Sequence, residues 1–179
     1  VITLLWIIEK EAETYHALLP SDLAEAVQKH LQIFIFRSKV TMTIEAPSEE
    51  DLSTLPKGLS IPWINSDTTE KYVPQMLSLD LLKGVNFKKG CYPGQEIVAR
   101  MHYLGTHKRR LAKLSSKHPE EFVINAEITN EEGKEIAVVV YSEGEEALAV
   151  LRLEGKEQAL KIDHPVEIMQ IWHEESEEE

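Results

Sequence analysis

The C-terminal part of the sequence is a series of short apolar segments separated by turn residues, and this pattern constrains the fold more than any other feature. The segments cover residues 108–114, 126–129, 135–141, 147–153 and 166–171. The turn residues at their ends are Gly133, Gly144, Gly155 and Pro165. Short strands bounded in this way are typical of antiparallel barrels and sandwiches. We therefore predict an α+β protein with an antiparallel β-barrel or β-sandwich over residues 106–173.

The part before the barrel, residues 1–105, mixes helical and strand periodicities. Residues 1–9 contain the apolar run TLLWII, which suggests a buried strand. Ser21 is a candidate N-cap, because serine accepts a hydrogen bond from the first free amides of a helix. Three apolar residues then follow at helical spacing on one face: Leu23, Val27 and Leu31.

Two strand-like runs follow this predicted helix, at residues 33–36 and 39–44. The second alternates with a period of two, so residues 1–45 are expected to fold as a β-α-β unit. Residues 47–69 are rich in acids, Ser, Thr, Pro and Gly and indicate a connection. Residues 174–179 are almost entirely Glu, which predicts a solvated, disordered tail.

The charge of the chain is uneven along its length. The net charge of −12 over 179 residues opposes non-specific binding to nucleic acid or to an anionic membrane. Residues 83–113 form an exception, because Glu96 is their only acid and they hold a basic island: Lys83, Lys88, Lys89, Arg100, Lys108, Arg109, Arg110 and Lys113. The island is either a solvated basic surface or one contiguous patch around Cys91 that binds an anion.

The chain has one cysteine, Cys91, which excludes an internal disulfide and a metal site made of its own cysteines alone. A reducing, cytoplasmic setting is therefore expected. No apolar run approaches the roughly 18 residues that a transmembrane helix needs. His164 and His173 have no spacing to other ligands that is typical of a metal site, and no metal is predicted.

Cys91 lies in the segment with the densest set of unusual residues, residues 86–100. Gly90 and Gly94 lie where the backbone needs either a positive φ or a close approach, and Pro93 stiffens the turn between them. Such a loop has a defined shape.

The chemistry around Cys91 favours the thiolate. Lys88 and Lys89 are close in sequence, and residues 95–101 have a helix-forming composition that places a helix N-terminus after the thiol. Cationic neighbours and a helix N-terminus both lower the pKa of a cysteine. The alternative is a small buried hydrophobe, which is the commonest role of a free cysteine.

The same segment carries a family signature, K-G-C-Y-x-G-Q-E. Its fixed positions are Lys89, Gly90, Cys91, Tyr92, Gly94, Gln95 and Glu96. All seven match the signature of the YgfZ-type folate-binding proteins, which this chain therefore resembles. These proteins are relatives of the glycine-cleavage T-protein, an aminomethyltransferase. The flanks at residues 72–87 and 100–109 also resemble the family's.

The resemblance implies a T-protein-like α/β portion followed by a C-terminal β-barrel. It also implies a folate-binding accessory protein that supports iron-sulfur enzymes and, through them, tRNA modification. The implied cofactor is tetrahydrofolate or a derivative, and the implied partners are iron-sulfur enzymes such as those that thiolate tRNA. Direct tRNA binding and contact of Cys91 with a cluster stay open.

The resemblance assigns a role to each signature residue. Cys91 is the reactive or cluster-contacting thiol, and Lys89 biases it towards the thiolate, which makes these two the catalytic candidates. Tyr92 shapes the pocket, while Gln95 and Glu96 hold the loop in place. The candidate cofactor-binding residues are Tyr92, Gln95, Glu96, Arg100, Lys108 and Arg109.

Two other functions stay open. The first is a tetrahydrofolate-dependent aminomethyltransferase, although T-proteins lack this cysteine motif. The second is a structural module in which the loop residues serve turn geometry, and Gln95 with Glu96 cap the next helix. The sequence lacks the family's longer N-terminal half, which holds the T-proteins' catalytic acid and much of the family's folate pocket. It also lacks a stretch between the equivalents of Ile44 and Tyr72, so it resembles a compact or incomplete member.

Overall fold

The computed structural model describes residues 1–56, 58, 60–88 and 95–172. The strands are β1 (Trp6–Glu11), β2 (Thr14–Leu18), β3 (Arg109–Ser115), β4 (Glu127–Thr129), β5 (Glu135–Glu143), β6 (Glu146–Arg152), β7 (Leu160–Lys161) and β8 (Pro165–Ile171). The α-helices are α1 (Ala24–Gln32), α2 (Glu49–Ser53) and α3 (Gln95–Leu104). Short 3-10 helices cover Ser21–Leu23, Pro74–Leu77, Pro119–Glu121 and Leu153–Gly155. Within these described ranges, none of the helices is long and apolar enough to cross a membrane.

Strands β3 to β8 close into an antiparallel barrel with the order β3-β6-β5-β4-β7-β8. Strands β5 and β6 form a hairpin, and Gly144 in its turn has a φ of 58°, which glycine adopts without steric cost. Strand β8 closes the barrel against β3, with Lys113 opposite Gln170. The predicted C-terminal barrel is confirmed, while the division into domains at residue 105 stays a prediction.

Both faces of β6 are buried, because the barrel is filled on its inside and covered on its outside. Ala147, Ala149 and Leu151 belong to the barrel core. Leu148 and Val150 point to the opposite face, as the alternation of a strand requires, and belong to a second apolar cluster. That cluster includes members of the chain before the signature: Ile64, Tyr72, Leu77 and Leu79. The outside of the barrel therefore anchors the segment that leads into the signature.

The barrel core leaves no room for a side chain at Gly155. A Cβ atom there would lie 2.5 Å from Cγ2 and 2.9 Å from Cδ1 of Ile136, which is fully buried. Gly155→Ala is expected to lower the free energy of unfolding by about 1–3 kcal/mol, because overpacking a tight core forces neighbours out of place. Urea denaturation measures the loss. The exposed neighbour serves as a control, since Lys156→Ala should change stability by less than about 0.5 kcal/mol. Equal stability of the two variants would contradict the packing argument.

The N-terminal strand prediction is wrong in both position and burial. Strand β1 begins at Trp6 and pairs only with β2, in a separate two-stranded antiparallel sheet. Its residues alternate between half-buried and exposed, because a two-stranded sheet leaves one face in solvent. The turn between the strands holds Glu13 at a φ of 64°.

The helix expected after Ser21 is confirmed, but its beginning differs from the prediction. A 3-10 turn at Ser21–Leu23 precedes α1, and no side chain caps either helix. The strands predicted at residues 33–36 and 39–44 are wrong, since these residues join no described sheet. Phe36 is 86% exposed. An apolar run forms a stable strand only where a neighbouring strand supplies backbone hydrogen bonds, and these residues have no such neighbour among the described residues. The β-α-β unit is therefore absent from residues 1–45, and the T-protein-like character of this portion stays a prediction.

A network around Asp51 connects α2 to the hairpin. The hydroxyl of Ser48 caps α2 by accepting a hydrogen bond from the Asp51 amide at 3.1 Å. The Asp51 carboxylate in turn accepts from Lys10 Nζ at 3.2 Å and lies 2.9 Å from His16 Nδ1. Strands β1 and β2 are thereby held to α2, a helix within residues 47–69, for which only a connection was predicted.

Candidate functional site

Five of the seven fixed signature positions lie outside the described residues: Lys89, Gly90, Cys91, Tyr92 and Gly94. The roles expected of them therefore stay predictions. The described flanks end at Lys88 and resume at Gln95, so both sides of the signature loop have defined surroundings.

Helix α3 begins at Gln95, four residues after Cys91, and it continues to Leu104. The helix expected from the composition of residues 95–101 is thus confirmed. Gln95 is half-buried and Glu96 is exposed in its first turn. The free amides at the start of a helix carry a partial positive charge, which the Glu96 carboxylate complements. The same charge favours an anion in the chain that precedes Gln95.

Gln75 holds α3 against the chain that leads into the signature. Val98 is the buried residue of the helix, and its carbonyl accepts a hydrogen bond from Gln75 Nε2 at 2.6 Å. Gln75 is fully buried, and its Oε1 has no hydrogen-bond partner among the described residues. A buried acceptor without a donor is costly, and an ordered water is the usual partner of such an atom.

A buried ion pair lies next to Gln75. Arg110 Nη1 donates to both carboxylate oxygens of Asp80, at 2.6 and 2.9 Å, and to the carbonyl of Gln75 at 3.2 Å. The Arg110 and Asp80 side chains are 2% and 4% exposed. Arg110 therefore does not belong to an open basic patch, and this part of the basic-island prediction is wrong because its charge is already neutralised. Lys113 is also paired, with Glu146 at 2.7 Å.

Ser78 makes a second connection between the barrel and the lead-in segment. Its hydroxyl donates to the carbonyl of Trp172 at 2.7 Å and accepts from the amide of Leu111 at 3.0 Å. Ser78 has a φ of 50°, a left-handed conformation that ends the 3-10 helix Pro74–Leu77. These bonds fix the position of Asp80, two residues later, relative to β3.

The predicted cofactor-binding cations lie on two different elements. Arg100 is exposed on α3, and Lys108 is exposed just before β3. Arg109 begins β3, where it lies opposite Arg152. Burial raises the pKa of the Tyr72 phenol, and the nearby charge of Arg109 partly opposes this effect. Arg109 is thus close to a buried residue of the lead-in, and the binding roles of all three cations stay predictions.

The structure adds an aromatic cluster that the sequence did not indicate. Phe87 and His102 stack with their ring centroids 3.8 Å apart and their planes at 11°. Tyr103 lies edge-on to both rings, at 6.2 and 4.8 Å, and is 67% exposed. The cluster joins the chain before the signature loop to the end of the helix after it. No periodicity relates Phe87 to His102, so the pairing had no sequence signal.

Comparison with known proteins finds similarity over part of the chain. No protein-family model matches the chain. Over 61 residues the chain is 51% identical to the tRNA-modifying protein YgfZ of Colwellia psychrerythraea. The matched residues are 34% of this chain and 19% of that protein, so the chain spans about a fifth of the relative's length. The similarity supports the resemblance to YgfZ, while the likeness to the T-protein stays a prediction.

Proposed function

We propose that this chain is a YgfZ-like accessory protein of tRNA modification, and that residues 86–110 are its working segment. The 51% identity over 61 residues to a tRNA-modifying protein is the observation that carries the proposal. The K-G-C-Y-x-G-Q-E signature within residues 89–96 also supports it.

Cys91 supplies the reactive group in this proposal. Lys89 and the N-terminus of α3 both favour the thiolate, which is the form of cysteine that attacks electrophiles and binds metals. The thiolate either reacts covalently or contacts a cluster of a client iron-sulfur enzyme. The short distance along the chain from Cys91 to Gln95 supports the effect of the helix, because that effect falls off within about one turn.

The ligand of the segment is tetrahydrofolate or a derivative. Tetrahydrofolate has a planar pyrimidine half in its pterin, a planar benzoyl ring and one or more carboxylates, so its binding is favoured by an aromatic surface and cations. Tyr103 offers an exposed ring supported by Phe87 and His102, and Arg100 lies three residues earlier on the same helix. Aromatic stacking and a cation for the carboxylate would give orientation as well as affinity.

The client enzyme docks beside the ligand. Helix α3 buries Val98 alone, while Ile97 and Leu104 are 61% and 84% exposed. Apolar side chains exposed together with Tyr103 on one short helix form the kind of surface that protein partners cover. The partner class is an iron-sulfur enzyme that thiolates tRNA.

The proposal is tested in cells that lack their own YgfZ-like protein. Expression of the chain is expected to restore thiolated tRNA, measured by mass spectrometry of tRNA nucleosides. Levels that stay at those of the deficient cells, with the chain present and folded, would refute the accessory role.

Folate binding is tested separately on the purified chain. Tyr103→Ala is expected to weaken tetrahydrofolate binding by about 1 kcal/mol, or roughly fivefold, because a stacked aromatic pair contributes about that much. Equilibrium fluorescence titration gives the dissociation constant. Arg100→Gln should weaken binding more at low than at high salt, since exposed charges are screened by ions.

Two matched controls come from the N-terminal part. Tyr15 on β2 is 59% exposed and Lys29 on α1 is exposed, so Tyr15→Ala and Lys29→Gln repeat both changes away from residues 86–110. Both controls should bind folate like the unmodified chain. Equal effects in the controls and the test variants would exclude the cluster as the folate site.

A further inference from the structure

Two barrel turns bring together a set of side chains that the sequence spacing did not single out. His118 precedes the 3-10 helix Pro119–Glu121, Glu121 ends it, and His164 lies in the turn between β7 and β8. One nitrogen or oxygen atom from each of the three lies within 4.8 Å of the others. The two imidazole rings stack with centroids 3.7 Å apart and planes at 16°.

The backbone that carries the three side chains is held by hydrogen bonds. The His118 amide donates to Ser116 Oγ at 3.0 Å, and the Glu121 amide donates to the His118 carbonyl at 3.1 Å. The His164 amide donates to Glu121 Oε2 at 3.2 Å, while His164 Nδ1 contacts Glu121 Oε1. Both turns are therefore joined through the Glu121 carboxylate, and the ring positions follow from that junction.

The exposure of the cluster differs between its members. The Glu121 side chain is 10% exposed, whereas His118 and His164 are 41% and 51% exposed. Because the carboxylate is nearly buried and both imidazoles face solvent, an ion can reach the cluster from the solvent side. Such a site admits an ion or small ligand without opening the barrel.

We propose that His118, Glu121 and His164 form a binding site for a divalent transition-metal ion of the zinc class. Two imidazole nitrogens and one carboxylate oxygen are the protein donor set of many open zinc sites, in which water or another ligand takes the fourth position. Imidazole donors disfavour Mg²⁺ and Ca²⁺, which prefer oxygen ligands alone. The site is separate from the signature segment and does not depend on the function proposed for it.

Binding needs only a small movement of the side chains. With metal–ligand bonds of about 2.0–2.2 Å, donor atoms on a tetrahedral ion lie roughly 3.3 Å apart. The donor separations, which are within 4.8 Å, must therefore change by at most about 1.5 Å, and the rings must turn out of their stack, because nitrogen lone pairs lie in the ring plane. The rotation exchanges the contact of His164 Nδ1 with Glu121 for a bond to the ion, and the exposure of both rings leaves space for it, while Glu121 stays in place.

The local field favours a cation at this site. The Glu121 carboxylate contacts His164 Nδ1, and the charges of Asp163 and Glu120 also act on this imidazole. Glu120 also lies 3.4 Å from His118 Nδ1. Three carboxylates thus surround the two imidazoles, and a divalent ion neutralises them better than a single proton does.

Isothermal titration with Zn²⁺ tests the site. The full chain is used with Cys91→Ser and His173→Gln, since a thiolate and a tail histidine are themselves zinc ligands. We expect one equivalent of Zn²⁺ to bind. His118→Gln and His164→Gln should each weaken binding at least about tenfold, because even partners outside the ligand shell contribute 10–100-fold to metal affinity.

His30→Gln is the matched control, because His30 is exposed on α1. Among the described residues, its ring forms an aromatic pair only with Phe34, in an edge-on arrangement. It should leave zinc affinity unchanged. Zn²⁺ should also raise the melting temperature of the parent chain and of His30→Gln, but not of the two cluster variants. No zinc binding to the parent chain, or equal binding after loss of either cluster histidine, would overturn the proposal.

Discussion

Replacing Cys91 with serine is expected to abolish the restoration of thiolated tRNA while the chain stays folded. The change exchanges one sulfur for oxygen and removes no disulfide, because the chain has no second cysteine. A serine hydroxyl is not ionised at neutral pH, so it neither attacks as a thiolate does nor binds a cluster metal. Nucleoside mass spectrometry should find thiolated tRNA no higher than in cells without the chain. Circular dichroism and the melting temperature should match those of the unmodified protein.

The reactivity of the thiol provides a chemical check on the same prediction. Folded protein should react with iodoacetamide at pH 7 faster than a simple model thiol, because Lys89 and the start of α3 at Gln95 favour the thiolate. Lys89→Ala should slow the reaction, and Lys29→Ala on α1 should not. Full restoration of thiolation by Cys91→Ser would eliminate the thiol mechanism and leave the structural alternative for the loop.

The barrel could be predicted because its signals are local. Five of the six barrel strands lie at apolar segments bounded by turn residues such as Gly144 and Gly155. The two-residue strand β7 lies in none of these segments and was not predicted. The pairing of β8 with β3 then removes two exposed sheet edges, and the closed barrel buries the apolar side chains of its core. Sequence order, turn chemistry and burial all favour the same structure.

The N-terminal part was predicted less well because its apolar residues need partners that the local sequence does not specify. Ile33, Phe34 and Phe36 have strand-like side chains, yet all three are more than half exposed and form no ladder. β-Propensity reflects packing against neighbouring strands, so a run without a neighbour carries little structural information. The helix α1 was predicted because its hydrogen bonds are internal to the segment.

The described features of the candidate sites also divide into local ones, which the sequence predicted, and long-range ones, which it did not. The start of α3 at Gln95 followed from composition, since a helix is a local structure. The stack of Phe87 on His102 and the pairing of His164 with Glu121 join residues that are 15 and 43 positions apart. Neither spacing has a helical or strand period, so both contacts depend on how the chain closes on itself. Only the closed barrel and the docked lead-in bring these residues together.

Asp80→Asn is expected to lower the free energy of unfolding by about 3–5 kcal/mol, the largest stability effect of the substitutions considered. Arg110 and Asp80 are 2% and 4% exposed, and a single Arg110 nitrogen serves both carboxylate oxygens. Removing one partner of a buried pair leaves the other charge without compensation. The measurement is urea denaturation followed by tryptophan fluorescence. The same variant should also weaken the packing of α3. The Gln75 carbonyl accepts a hydrogen bond from Arg110, and the Gln75 side chain donates one to the Val98 carbonyl in α3.

The partly exposed pair of Lys113 and Glu146 is the matched control for this prediction. Their side chains are 21% and 38% exposed, so Glu146→Gln should cost no more than about 1 kcal/mol. The double variant Asp80→Leu with Arg110→Met should recover much of the stability, because an apolar pair of similar volume has no charge to desolvate. A loss from Asp80→Asn as small as that from Glu146→Gln would mean that solvent reaches the pair. The lead-in segment would then be held to the barrel by Ser78 and apolar packing rather than by this ion pair.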